Sequence, residues 1–166
     1  RDLDSSLVGS EMCIRDRPYI VACMTEALEL KGDETVLEVG TGSGYQAAIL
    51  SRLCAKVYTV ERINVLLAGA RKVFDQLTYF NIISKLDDGT MGWPENGPYD
   101  AIIVTAGGPA VPKPLIEQLA EGGRLIIPVG DQHVQDLQIV EKHNDEITTK
   151  TLERVRFVDL VGAHGW

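Results

Sequence analysis

The chain has 166 residues, of which 45% are hydrophobic and 24% charged, with a formal net charge of −8. That length and apolar content fill one core and are too little for two. The acidic balance argues against gripping a phosphate backbone or an anionic membrane surface, so neither nucleic acid nor membrane is expected as a partner, and no apolar run approaches the roughly 20 residues that span a bilayer.

Residues 1–17 show no sustained hydrophobic period and lack the basic start and apolar middle of a signal peptide. Pro18 then opens a helical pattern with Ile20, Val21, Met24, Ala27 and Leu28 on one face, ending at Lys31-Gly32-Asp33. Thr35–Val39 predicts a first strand, followed by a glycine loop over Gly40–Gly44 and a helix from Tyr45 to about Leu53. Lys56–Val60 predicts a second strand ending at Glu61, and a helix follows from Asn64 to Leu77. Asn81–Ser84 and Asp100–Thr105 predict the third and fourth strands, Pro112–Ala120 a helix, and Gly123–Val129 a fifth strand. Short alternating runs at Leu137–Val140, Ile147–Thr149 and Val155–Val158 follow, with a hairpin turn at His143–Glu146 between the first two. Apolar strands alternating with helices predict a doubly wound, mostly parallel α/β sheet, finishing in antiparallel edge strands.

Cys13, Cys23 and Cys54 are odd in number and form no C-x-x-C pair, so neither a metal site nor a disulfide is expected. Idle thiols suit a reducing compartment, and a cytoplasmic monomer is expected. His133, His143 and His164 fall in predicted loops or the tail.

Four features fall in order on one predicted rim, the carboxyl ends of the strands, where ligands bind in open α/β sheets. The first is Glu38-Val39-Gly40-Thr41-Gly42-Ser43-Gly44, whose glycines run G-x-G-x-G. A dinucleotide fingerprint needs its third glycine at position 45, where Tyr45 stands, which argues against a nicotinamide oxidoreductase. The loop suits a nucleoside with an amino-acid tail, whose carboxylate can meet the N–H groups opening the next helix. The second is Glu61, 21 positions after Gly40, able to accept both ribose hydroxyls at about 1.5–3 kcal/mol each. The third is Asp87-Asp88-Gly89, where a short acidic side chain can accept from an adenine amino group. The fourth is the apolar strand that runs out through Thr105-Ala106 into Gly107-Gly108-Pro109.

These residues resemble the protein-L-isoaspartate O-methyltransferase family. The resemblance rests on Val36–Ala48, Val60-Glu61-Arg62, Tyr99–Ala106, Glu121–Gly130 and the closing Val155–Leu160, and runs from Pro18 to about Val161. It implies a Rossmann-like class I methyltransferase fold with S-adenosyl-L-methionine as cofactor. It implies methyl transfer to the free carboxylate of isoaspartyl residues in damaged proteins; the ester then cyclises to a succinimide that can reopen to normal aspartate. By resemblance, Glu61 holds the ribose and Asp88 the adenine, while Gly40, Gly42, Ser43 and Gly44 line the methionine end. Glu38, Thr41, Arg62, Gly89 and Thr105 complete the expected cofactor set, with Ala106, Val158 and Leu160 on the acceptor side. The catalytic residues are not assigned, and this chemistry requires no general base. The acceptor carboxylate is already ionised at pH 7, so alignment and exclusion of water suffice.

The sequence departs from the family at identifiable places. Members carry a segment ahead of Pro18 ending Thr-Ile-Ser-x-Pro, whose hydroxyls face the acceptor carboxylate. Aligned on Pro18, this chain has Ile14, Arg15, Asp16 and Arg17, and Asp16 would repel that carboxylate, so impaired methyl transfer is expected. Residues 1–17 resemble a translated sequencing-adapter artefact, so a non-native segment is expected there, with the methyltransferase domain over 18–166. Asp87 replaces Gly, Thr90 an aromatic, Gly107-Gly108 Ala-Pro, and Asp159 Pro. The other functions weighed are a methyltransferase for a different acceptor and a non-catalytic adenosyl-ligand module. Thr105–Gly108 stands where amino-methylating enzymes carry Asn/Asp-Pro-Pro-Tyr/Phe, against base or glutamine methylation.

Overall fold

The computed structural model describes residues 18–166. The expectations placed on residues 1–17, Cys13 and Asp16 among them, lie outside that range. Helix α1 covers 18–27, then β1 (Thr35–Val39), α2 (Tyr45–Leu50), β2 (Lys56–Glu61), α3 (Asn64–Gln76), β3 (Ile82–Leu86) and β4 (Tyr99–Val104). α4 (Lys113–Glu117), β5 (Leu119–Gly130), β6 (Gln135–His143) and β7 (Glu146–Val155) complete the order.

The seven strands form one sheet in the order β3-β2-β1-β4-β5-β6-β7. β1 to β5 pair in parallel, and β5-β6-β7 are antiparallel, as the sequence predicts. The order reverses between β1 and β4, the switch point where a crevice opens at the carboxyl ends.

Period-2 alternation sorts the strand residues to two faces. Leu37, Val39, Tyr58, Val60, Ile102, Val104, Leu125 and Ile127 pack with Leu115 of α4 and with Trp93, Val111 and Leu160. Val36, Val57, Ala101, Ile103 and Ile126 face the other way, onto Met24 and Leu28, Ala47 and Leu50 of α2, and Ala70 and Phe74 of α3. Three helices thus cover one face, while α4, short turns and the chain's closing segment cover the other.

Element ends differ from the sequence reading for physical reasons. α4 is shorter than predicted because Tyr99 N–H donates to Gln118 O (2.8 Å), which draws the chain into the sheet from Leu119. β7 is one continuous strand although its side chains are mostly exposed, because the ladder to β6 needs only backbone groups. The strand predicted at Val155–Val158 ends at Val155 instead. The chain leaves the sheet edge there, and Asp159 pairs in parallel with Gly107, beyond β4. The hairpin turn falls at Asn144 and Asp145, both at positive φ (51° and 61°), as a tight β6–β7 connection requires.

Candidate functional site

The carboxyl ends of β1, β2 and β4 are tied together by backbone bonds. Gly40 N–H donates to Val60 O (2.9 Å) and Thr105 N–H to Val39 O (2.9 Å). The Thr105 hydroxyl donates to Gly40 O (2.7 Å), so the loop's first residue is held from both neighbouring strands.

The loop then turns back on itself, with Gly44 N–H donating to Thr41 O (2.8 Å). Gly44 caps α2 in the left-handed region (φ 83°), and a Cβ there would stand 2.7 Å from the Phe74 ring. Only glycine meets both conditions. Above Gly42, by contrast, an added Cβ would meet nothing within 4 Å, so the loop's crest faces open space.

Glu61 closes the loop from the β2 side. Its Oε2 accepts from Gly42 N–H and its Oε1 from Ile63 N–H, both at 2.9 Å. Two charge-assisted bonds fix the carboxylate on the rim, and each oxygen retains a further lone pair for a ligand donor. Ser43 and Arg62 are exposed beside it.

Two expected cofactor residues lie beneath the rim. Glu38 and Thr41 are both buried, and Thr41 Oγ1 lies 2.6 Å from Thr59 Oγ1. Thr59 Oγ1 donates to Glu38 Oε2 (2.5 Å), while Glu38 Oε1 has no hydrogen-bond partner. Burial pushes the Glu38 carboxyl up to about 8; the Glu61 charge adds to the rise, and the Thr59 hydroxyl and Ala47 N–H oppose it. The sequence reading did not single out Thr59. The signal was present: each of two apolar strands holds one interior polar residue, two positions before Gly40 in one and before Glu61 in the other.

Asp88 stands past β3, half-buried, with its carboxylate already engaged. Oδ1 accepts from Thr90 N–H (2.9 Å) and Thr90 Oγ1 (2.7 Å), and Oδ2 from Ala163 N–H (2.7 Å). Burial raises its carboxyl, but these donors outweigh burial and hold it below the usual carboxylate range. Gly89 is buried against Val39, which sets this turn close to the end of β1.

The chain's closing segment spans the same edge. His164 N–H donates to Thr90 Oγ1 (3.1 Å) and Trp166 Nε1 to Gly107 O (3.1 Å), so residues 161–166 bridge from the β3 end to the β4 end. The sequence reading missed this strap because nothing local in Val161–Trp166 announces a contact with Asp88, some 75 positions earlier.

On the expected acceptor side, Gly107 exchanges backbone bonds with Val158 O and Leu160 N–H, both 2.8 Å. The Val158 side chain is exposed. Ala106 and Leu160 are buried in the core cluster, so Leu160 can face an acceptor only through its backbone. A Cβ on Gly107 would stand 2.9 Å from Cδ of buried Gln135, which explains why glycine suits this position. Asp159 is exposed and accepts from Gln132 Nε2 (3.0 Å).

Among the described residues, no group of three His, Cys, Asp or Glu could hold a metal ion, and no helix is long and apolar enough to cross a membrane. The donor set fits an adenosyl amino-acid cofactor: an open glycine crest, an adjacent fixed carboxylate, and a second carboxylate one strand further on.

Comparison with known proteins agrees. A family model described as protein-L-isoaspartate(D-aspartate) O-methyltransferase matches residues 3–165. The chain is 63% identical over 150 residues to the protein-L-isoaspartate O-methyltransferase of Desulfotalea psychrophila, covering 90% of this chain and 70% of that one. It is 51% identical over 166 residues to that of Syntrophus aciditrophicus, covering 98% and 76%. A solved protein-L-isoaspartate O-methyltransferase superposes with a TM-score of 0.83 at 32% identity, over 89% of this chain and 48% of that one. A Plasmodium falciparum chain described as such a methyltransferase, in complex with S-adenosyl-L-homocysteine, superposes with a TM-score of 0.73 at 27% identity, over 87% and 74%.

Proposed function

Because the chain belongs to the protein-L-isoaspartate(D-aspartate) O-methyltransferase family, we propose that it methylates the free carboxylate of isoaspartyl residues in damaged proteins. S-adenosyl-L-methionine, when bound, supplies a methyl group on a cationic sulfur that leaves without being protonated. The observation that carries the reading is Glu61, fixed on the rim by Gly42 and Ile63 N–H groups beside an open glycine crest.

Most of the expected residues have a task in this reading; Glu38, Thr41 and Leu160, whose side chains are buried, do not touch the ligand. Glu61 accepts from the ribose hydroxyls, with exposed Ser43 and Arg62 flanking it. Gly40, Gly42 and Gly44 let the backbone pass beneath the ligand, and Thr105 clamps that loop to β4. Asp88 and Gly89 border the adenine, the Asp88 carboxylate sharing an oxygen between Ala163 N–H and the base. Ala106, Gly107 and the Val158 backbone form the acceptor edge. No side chain needs to move a proton, because the acceptor is ionised at neutral pH. Positioning and exclusion of water then supply the catalysis, worth up to roughly 7–11 kcal/mol. We read the protein as a cytoplasmic monomer, a compartment that suits the free thiols of Cys23 and Cys54.

The test is transfer of labelled methyl from S-adenosyl-L-methionine to a short isoaspartyl peptide, with its aspartyl twin as control. Base-labile label on the isoaspartyl peptide alone is expected. Equal labelling of both peptides, or of neither while the cofactor binds, would overturn the acceptor assignment.

A further inference from the structure

β1 and β2 are apolar strands with one buried polar residue each in their interiors, and the two are register partners, Glu38 opposite Thr59. Thr59 has a single hydroxyl proton and gives it to Glu38 Oε2. The contact between Thr41 Oγ1 and Thr59 Oγ1 must therefore run the other way, with Thr41 donating. The chain Thr41→Thr59→Glu38 begins in the glycine loop and ends in the sheet interior. It fixes the rotamer of the one loop side chain that points inward. Glu38 itself has no exposed surface and lies below the loop, out of line with the open crest above Gly42.

We propose that Glu38 is a positioning residue for the glycine loop, acting through the hydroxyls of Thr59 and Thr41 rather than by touching the cofactor. This replaces direct cofactor contact, the role expected for Glu38 from the sequence. Its consequence for cofactor binding rests on the methyltransferase reading; its effect on the loop does not.

The surroundings give the arrangement a pH dependence. The titratable group bearing on Glu38 is Glu61 at the end of β2; β4 sets Ile103 beside it, and α2 supplies the Ala47 N–H. A buried carboxyl with an unpartnered oxygen is tolerated when neutral and costly when ionised. Below about pH 8 it stays neutral, its proton on Oε1, so that Oε2 still accepts from Thr59 and the hydroxyl chain holds. Above it, a second negative charge close to Glu61 repels the carboxylate that grips Gly42, and the loop loosens.

The experiment is amide hydrogen–deuterium exchange of residues 40–46 from pH 6.5 to 9, each rate expressed relative to its intrinsic value at that pH. Wild type, Glu38→Gln and Thr59→Val are compared, and S-adenosyl-L-homocysteine affinity is measured in parallel. Wild-type protection of the loop is expected to fall severalfold as pH passes about 8, with β5 and β6 unaffected. Glu38→Gln, equal in shape and uncharged, should keep protection at pH 7 and abolish that fall. Thr59→Val, equal in shape without the hydroxyl, should lower loop protection about tenfold and weaken the ligand at least fivefold. Wild-type loop protection in Thr59→Val, or an unchanged pH dependence in Glu38→Gln, would overturn the proposal. Failure of wild type to bind S-adenosyl-L-homocysteine would sink the methyltransferase reading instead, and loop exchange would still decide this one.

Discussion

The two halves of the rim are built differently. The ribose and methionine side of the proposed cofactor half, over β1 and β2, is assembled mainly from residues within about 25 positions of one another, Glu38 to Ile63, and its polar groups bond mainly to each other. The proposed acceptor half, beyond β4, is assembled from Gly107, Gln135, Asp159 and the closing residues 160–166, gathered across some 60 positions. The first is a local turn that the sheet's parallel register delivers and that Thr105 clamps from β4. The second exists only after the antiparallel edge has formed and the chain has crossed back to β4. Damage to the late-assembled half that spares the Ala163 contact with Asp88 should therefore leave the early one able to bind.

The sharpest test of that separation is Gly44→Val. It places a β-branched side chain at φ 83° with its Cβ against Phe74, and should cost about 3–5 kcal/mol by denaturant unfolding. Cofactor binding should fall with stability; a fully stable variant would mean the loop's packing is slack. Leu160→Ala on the other half empties a side chain packed with Ala106 and should cost about 2–4 kcal/mol. Its signature is retained affinity for S-adenosyl-L-homocysteine at temperatures where the variant stays folded. Loss of that affinity would show that the halves form one unit.

Glu61→Ala should weaken S-adenosyl-L-homocysteine by at least tenfold, about 1.4 kcal/mol or more, with the isoaspartyl peptide KM little changed. Calorimetry giving an unaltered dissociation constant would remove Glu61 from the site. The smallest effect is reserved for Asp159→Asn, which removes an exposed negative charge from the acceptor edge. It should lower the KM for an isoaspartyl peptide about twofold to threefold at low salt, with the gain vanishing at high salt.

The fold around the proposed cofactor half was legible because its signals are local. Strand, glycine loop and helix follow directly, and Glu61 ends its strand where β2 does. The sheet's parallel centre and antiparallel edge followed from apolar runs giving way to alternation. Three things were not legible, each for a nonlocal reason. The exit of the chain from β7 at Val155 depends on a partner, Gly107, that no nearby residue announces. Engagement of Asp88 by Ala163 joins residues whose sequence contexts are unrelated. Leu160 reads as an edge residue but is buried, because the crossing segment covers the α4 face of the sheet.

The glycine motif itself says less about ligands than its use as a fingerprint suggests. At Gly40 an added Cβ would strike the Thr105 hydroxyl, and at Gly44 the ring of Phe74. Both glycines are demanded by the protein's own architecture, whatever lies above the loop. A descendant that had lost all affinity for an adenosyl ligand would still need them to close its first strand onto its fourth and seat its second helix on its third. Its pattern would survive as a record of ancestry long after the chemistry had gone. In such a lineage the first position released from selection would be the rim, Glu61 and Ser43, and not the glycines.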